Sequence, residues 1–317
     1  DDEEEEEDAN PFDPFADPDP TEVFSFRFDV AAASADDDDR PASDESGEDP
    51  EEATSPTSTT IRLDIRGYKT GSDQVWESTG LTLWKASRYL CDYTIRRASD
   101  LRGKRVLELG AGLGLNGILA HRLGARSVVV TDGDSDAMIE LRRNIASNRR
   151  RRRPPGPSSV SAAQLIWGEE SARAFLERET TTIANASSDD DDEGGGSSAS
   201  ASSSSRFSIV LASDVVYAPQ VIDPLFETVD ALLVDEEEGD GRGEFWMAFA
   251  VRKVPVTIEY VLERARSHGF SHELADEHRE DPAAAGDDDG GGYGIDDDPE
   301  TGPVFVYVFR RDAGETA

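Results

Sequence analysis

The chain has 317 residues, 68 acidic against 32 basic, a formal net charge of −36 and a single cysteine, Cys91. Such an acidic molecule repels phosphate backbones, so no nucleic acid partner is expected and a basic protein partner is favoured; one thiol excludes a disulfide framework and a cysteine metal cluster, and fits a reducing compartment. No apolar run reaches the ~18 residues of a membrane span, so no membrane partner is expected and a cytoplasmic location is, with the nucleus as second choice.

Residues 1–60 carry 23 acidic and 2 basic side chains among Ser, Pro and Ala. Such a segment buries too little apolar surface to offset the entropy of ordering, so 1–60 is predicted to be mostly disordered. One stretch stands apart. FSFRF (Phe24–Phe28) and IRLDI (Ile61–Ile65) both alternate apolar and polar residues with period two. They predict an N-terminal β-hairpin, with residues 24–30 as its first strand, closed across the acidic insert. Leu83, Ala86, Leu90 and Tyr93 then recur at helical spacing.

A regular alternation follows. Arg105–Leu109 reads as a strand, Leu115–Leu123 as a helix, Ser127–Thr131 as a β-branched strand ending at Asp132, and Met138, Leu141 and Ile145 as a helix face. Gln164–Trp167 and Phe207–Ala212 read as strands. Ile222, Leu225, Phe226, Val229, Leu232 and Leu233 form a helical stripe, Phe245–Val251 a buried strand, and Ile258, Val261, Leu262 and Ala265 a further helix. Phe270–Leu274 and Val304–Phe309 are consecutive strands, suited to antiparallel pairing at the end of a sheet. Low-complexity islands at 149–159, 185–205, 235–242 and 281–302 read as loop insertions into one domain over 61–311, which closure entropy tolerates because its cost grows only logarithmically. The whole predicts an α/β fold, a mostly parallel sheet with helices on both faces. The four histidines, His121, His268, His272 and His278, form no site and read as surface residues; no metal site is expected.

The chemistry concentrates in LELGAGLGLNG, Leu107–Gly117. A glycine loop between strand and helix lets backbone N–H groups approach a ligand. GLGLNG formally matches the dinucleotide fingerprint, but that register starts late and leaves Gly110 and Ala111 unexplained. Read instead as E-x-G-x-G-x-G, residues Glu108, Gly110, Gly112 and Gly114 resemble motif I of class I methyltransferases. A carboxylate at Glu108 suits the cationic cofactor S-adenosylmethionine and repels a pyrophosphate. Asp132, 22 residues after Gly110, is placed to accept hydrogen bonds from ribose hydroxyls in either family.

Three more stretches narrow the resemblance: Trp84 through Tyr93 (WKASRYLCDY) with Ser78-Thr79-Gly80 upstream, Leu165 through Gly168 (LIWG), and Ala212 through Tyr217 (ASDVVY), together with Asn144 and Asn148. In this order they resemble methyltransferase family 16, seven-β-strand protein-lysine methyltransferases. The resemblance implies a Rossmann-like class I S-adenosylmethionine-dependent fold, a seven-stranded sheet whose last strand is antiparallel, and a protein substrate of chaperone or elongation-factor type.

It also implies roles. Trp84 borders the cofactor pocket, Gly110, Ala111 and Gly112 wrap the cofactor, Asp132 holds the ribose, Trp167 lies against the adenine, and Ser213 lines the site by its backbone. Asp214 and Tyr217, the D-x-x-Y pair, are the catalytic candidates: Asp214 captures the incoming lysine, and Tyr217 orients the amine or walls its channel. Ile166 departs from the family, whose members often carry a polar residue there. A small-molecule or protein-histidine N-methyltransferase, or a non-catalytic binding module, remains an alternative on the same core. A monomer is expected.

Overall fold

A computed structural model describes residues 20–30, 59–69, 72, 75, 78–149, 159–188, 205–237, 241–278 and 302–312. Residues 1–19 and 31–58, and with them most of the acidic segment expected to be disordered, lie outside these, as do most of the islands at 149–159, 185–205 and 281–302.

The two alternating segments pair as expected. β1 (Thr21–Val30) and β2 (Thr59–Tyr68) are antiparallel, Phe26 opposite Leu63 and Phe28 opposite Ile61. Their inward side chains are buried and the intervening ones exposed, as period two demands. The following elements alternate: α1 (Lys85–Arg96), α2 (Ala98–Leu101), β3 (Arg105–Leu109), α3 (Leu115–Leu123), β4 (Ser127–Asp132), α4 (Ser135–Ser147), β5 (Ser159–Gln164), α5 (Glu169–Ser188), β6 (Ile209–Ser213), α6 (Ile222–Leu232), the two-residue strands β7 (Glu236–Glu237) and β8 (Gly241–Arg242), β9 (Glu244–Ala250), α7 (Ile258–Ser267), β10 (Phe270–His278) and β11 (Val304–Arg311).

Seven strands form one sheet in the order β10-β11-β9-β6-β3-β4-β5. Neighbours from β5 to β9 are parallel; β11 is antiparallel to both β9 and β10. This is the mixed α/β sheet with an antiparallel last strand that the pattern predicts. Alternate residues of each central strand enter opposite cores. Val106, Ile209 and Trp246 pack under the hairpin, α1, α3 and α4, while Leu107, Val210 and Phe245 pack under α5, α6 and α7. The chain leaves central β3 toward β4 on one side and later returns to β6 on the other. That reversal opens a crevice beyond the carboxyl ends of β3 and β6.

The Asn144/Asn148 pair has a structural task. Asn144 on α4 and Asn148 at its carboxyl cap stand one turn apart, close to the spacing of alternate residues on a strand. Asn144 Oδ1 accepts from Arg66 N–H (2.9 Å) and its Nδ2 donates to Arg66 O (2.9 Å). Asn148 repeats this on Asp64, accepting at 3.1 Å and donating at 2.8 Å. The two side chains thus complete the ladder of β2 and bolt the hairpin to the domain.

Four readings of the sequence need correction. The strand read at Gln164–Trp167 lies earlier, at Ser159–Gln164, beginning inside the 149–159 island; only Gln164 is shared. β5 is an edge strand with half-exposed small side chains, so it lacks the apolar signature of the inner strands. Helix α5 was not anticipated, and its last residues, 185–188, fall in the 185–205 island. It buries Ala172 and Phe175, too few apolar positions to show a stripe. Part of the 235–242 island forms the small β7–β8 hairpin. Among the histidines, His268 is not a plain surface group: its Nε2 lies 3.0 Å from Asp223 Oδ1 and its ring stacks on Phe226.

Candidate active site

The carboxyl end of β3 breaks into a loop that only glycine can trace at two points. Gly110 and Gly112 adopt left-handed φ values of +59° and +51°. A Cβ at Gly112 would lie 2.8 Å from Gly80 O, and one at Gly110 would meet Val215 Cγ1 at 2.8 Å and the Trp167 ring at 3.1 Å. The loop backbone therefore runs against three other segments, and beside it opens a cavity of about 420 Å³. Nine of the ten residues singled out from sequence converge there: Trp84, Gly110, Ala111, Gly112, Asp132, Trp167, Ser213, Asp214 and Tyr217 all line it.

Asp132 ends β4. Its Oδ2 accepts from Gly112 N–H at 2.8 Å and its Oδ1 from Asp134 N–H at 2.9 Å. Asp132 lines the cavity, and a carboxylate has about four acceptor sites, so paired hydroxyls can still be accepted. Burial raises its carboxyl above the ordinary aspartate range, against the pull of these amides. Trp84 is fixed by donation from Nε1 to Thr79 O (2.9 Å). Trp167 packs on the core beneath α6, and its neighbour Ile166 is largely exposed at the rim.

Ser213 ends β6, and its hydroxyl accepts from Asn116 Nδ2 at 3.4 Å. Asn116, fully buried, also donates to Ser87 Oγ (2.9 Å) and accepts from Cys91 Sγ (3.2 Å). The motif's asparagine thus ties α1 and β6 together under the cavity floor, a role not foreseen. Burial pushes the Cys91 thiol well up, which keeps it protonated and inert.

Asp214 has φ +57°, the only non-glycine residue with positive φ among those described. Its N–H donates to Ala248 O (2.9 Å), which anchors the turn to β9. Its carboxylate pairs with Arg252, whose guanidinium also stands 4.4 Å from the centre of the Trp84 ring. Arg252 was missed by sequence reasoning; its signal is weak, a basic residue two positions past an apolar strand. Tyr217 sits half-exposed at the rim.

Glu108 is the exception. It is 1% exposed and does not line the cavity. Its Oε2 turns under the loop and accepts from Gly117 N–H at 2.7 Å, holding the first turn of α3. Burial pushes its carboxyl up to about 8. At neutral pH such a group is mostly protonated, so it offers no full negative charge to a cationic ligand. The expectation of a charged carboxylate facing the cofactor is corrected: strand β3 directs this side chain into the core.

The lining fits a nucleoside bearing a short polar tail. Trp167 gives a flat apolar face and Leu165 an aliphatic one, Asp132 an acceptor for paired hydroxyls, and the glycine loop a close backbone wall. Among the described residues no metal-ligand cluster occurs, and no helix is long and apolar enough to cross a membrane.

Comparison with known proteins bears out the resemblance to methyltransferase family 16. Residues 70–187 match the family model described as lysine methyltransferase. The protein N-terminal and lysine N-methyltransferase EFM7 of Yarrowia lipolytica is 37% identical over 92 residues, 28% of this chain and 30% of its own length. The protein N-lysine methyltransferase METTL21A of Danio rerio is 38% identical over 86 residues, 26% of this chain and 38% of its own. The EEF1A lysine methyltransferase 3 of Xenopus tropicalis is 39% identical over 66 residues, 21% and 29% of the two chains. The chain thus spans about a third of the length of these relatives. A methyltransferase structure from Pyrococcus furiosus superposes with a TM-score of 0.40 at 14% identity, over 71% of this chain and 82% of that one.

Proposed function

We propose that this protein is an S-adenosylmethionine-dependent methyltransferase that modifies a lysine amine of a protein substrate. The observation that carries this reading is the pairing, in one cavity, of a nucleoside-type lining around Asp132 with a second carboxylate, Asp214, at the carboxyl end of the adjacent half-sheet. The family match over residues 70–187 supports it. Gly110, Ala111, Gly112, Asp132, Trp167, Ser213 and Trp84 would hold the cofactor. When bound, S-adenosylmethionine supplies a methyl group activated by its sulfonium.

The chain's own residues then handle the acceptor. A lysine ammonium has no lone pair, and its ordinary pKa is about 10.4. It must lose its proton before it can attack. Asp214 attracts and orients the incoming cation; left fully charged it would also stabilise the ammonium and oppose deprotonation. Arg252 pairs with Asp214 while no acceptor is bound. Tyr217 at the rim orients the amine or walls its channel, and positioning supplies most of the acceleration. We further take the domain to run over 61–311, the protein to act as a monomer in the cytoplasm, and its target to be a protein with accessible lysine.

Two measurements test the reading. Calorimetry with S-adenosylmethionine is expected to show binding; no heat at millimolar cofactor refutes it. Labelling a cell lysate with radiolabelled cofactor, followed by mass spectrometry, is expected to return methyllysine; methylhistidine or labelled metabolites would move the assignment to another acceptor.

A further inference from the structure

Two side chains that line the cavity already hold a cation of the protein's own, Arg252, which is not itself among the lining residues. Trp84 presents an indole face and Asp214 a carboxylate, and between them lies the Arg252 guanidinium, ion-paired to one and 4.4 Å from the ring centre of the other. Both partners line the cavity. An aromatic face beside a carboxylate is the chemistry that recognises an ammonium head, including a methylated one, whose charge is spread over methyl groups. Arg252 is held imperfectly there: its Nε is buried with no hydrogen-bond partner. It is supplied by residues 251–257, the connection between β9 and α7, which has no regular secondary structure. Asp214 is held in place by contrast, its backbone fixed to β9 in the left-handed region.

We propose that the Trp84–Asp214 corner is the receiving subsite for the substrate's cationic side chain, and that Arg252 is a resident plug which that side chain displaces. The proposal rests on the lysine reading above and sharpens it. Two cations cannot share one carboxylate and one ring face in a part-buried corner without strong repulsion. The guanidinium must therefore swing out with its connection when the target enters. A side chain that cannot replace both the ion pair and the ring contact leaves the plug in place, so Arg252 sets specificity for long cationic side chains. The same corner accepts the methylated product, because methylation keeps the charge.

The test uses the full chain and three small probes: Nα-acetyl-lysine N-methylamide, its Nζ-trimethyl form, and the neutral norleucine isostere. Binding is followed by ligand-observed NMR with and without S-adenosylhomocysteine. R252A is expected to bind both cationic probes about tenfold more tightly than wild type, the scale of one part-buried cation contact removed. Norleucine shows no such gain, and D214N added to R252A abolishes it. Equal or weaker cation binding by R252A overturns the plug, because the guanidinium then builds the subsite; an equal gain for norleucine overturns it too, because a mere hole then explains the effect. R252Q, checked by thermal melting beside R252A, decides the matter if the alanine variant fails to fold. A wild type that takes up no S-adenosylhomocysteine refutes the methyltransferase reading separately, while the cation comparison run without it still decides the plug.

Discussion

Three carboxyl groups around one loop do three different things because their surroundings differ. Asp132 keeps acceptor capacity beyond its two amide bonds, so Asp132→Ala is expected to weaken S-adenosylmethionine binding by about a hundredfold, the loss of two hydrogen bonds to a charged acceptor. Calorimetry reads this directly, and unchanged affinity removes Asp132 from the ribose role. Asp214 stands at the other end, so Asp214→Ala is expected to keep cofactor binding while transfer to the lysate acceptor falls by about a hundredfold or more. Glu108 belongs to stability. Its folded value of about 8 lies above its ordinary 4.5. The folded state therefore holds its proton where the unfolded chain has released it. The group's stabilisation is complete below about 4.5 and is lost as pH rises toward about 8, by roughly 1.4 kcal/mol per unit. Glu108→Gln retains an acceptor for Gly117 N–H without the titration. Urea unfolding of both proteins between about pH 5 and pH 9 should show the variant gaining on wild type as pH rises, then levelling. A constant difference would mean that Glu108 does not titrate in this range.

At the scale of elements, the hairpin is tested through its bolt. Asn144→Ala leaves Arg66 N–H and C=O without their partner, which costs roughly 1–3 kcal/mol. Hydrogen exchange should show the Arg66 amide losing protection while β3 amides keep theirs; equal loss in both would mean the hairpin does not open as a separate unit. How far sequence reached is clearest here. β3, α3 and α6 were legible because inner strands and core-facing helices are dense in apolar residues, as in Val106, Leu107 and Leu109 and the Ile222–Leu232 stripe. The hairpin was legible from period two alone, despite nearly thirty intervening residues. β5 and α5 were not, because Ser159–Gln164 lies at an edge and α5 anchors by Ala172 and Phe175 with little else. The site residues were readable because glycine, tryptophan and aspartate stand in fixed order along the chain. Arg252 was not, since its meaning comes from a partner 38 positions away, reached only when β6 and β9 lie side by side.

At the scale of the whole molecule, the sheet reversal beside β3 brings every site segment to one rim, while net charge sets how targets reach it. A chain of formal charge −36 carries a negative field whose reach is set by a screening length of about 10 Å at ~0.1 M salt. A lysine-bearing target is drawn toward such a field when its own surface is basic, and the attraction acts on encounter more than on the bound complex. Salt should therefore lower kcat/KM for the identified protein acceptor, by about tenfold between ~0.02 M and ~0.3 M, while kcat stays nearly constant. The same series run with S-adenosylmethionine as the varied ligand serves as the internal comparison. Its pocket is lined by glycine backbone, indole and the largely buried Asp132 carboxylate, where bulk salt screens little, and its affinity should move far less. If kcat/KM for the protein acceptor is insensitive to salt, the acidic surface does not steer the substrate. Docking must then rest on the apolar rim of Ile166 and Tyr217, the exposed side chains beside the cavity mouth.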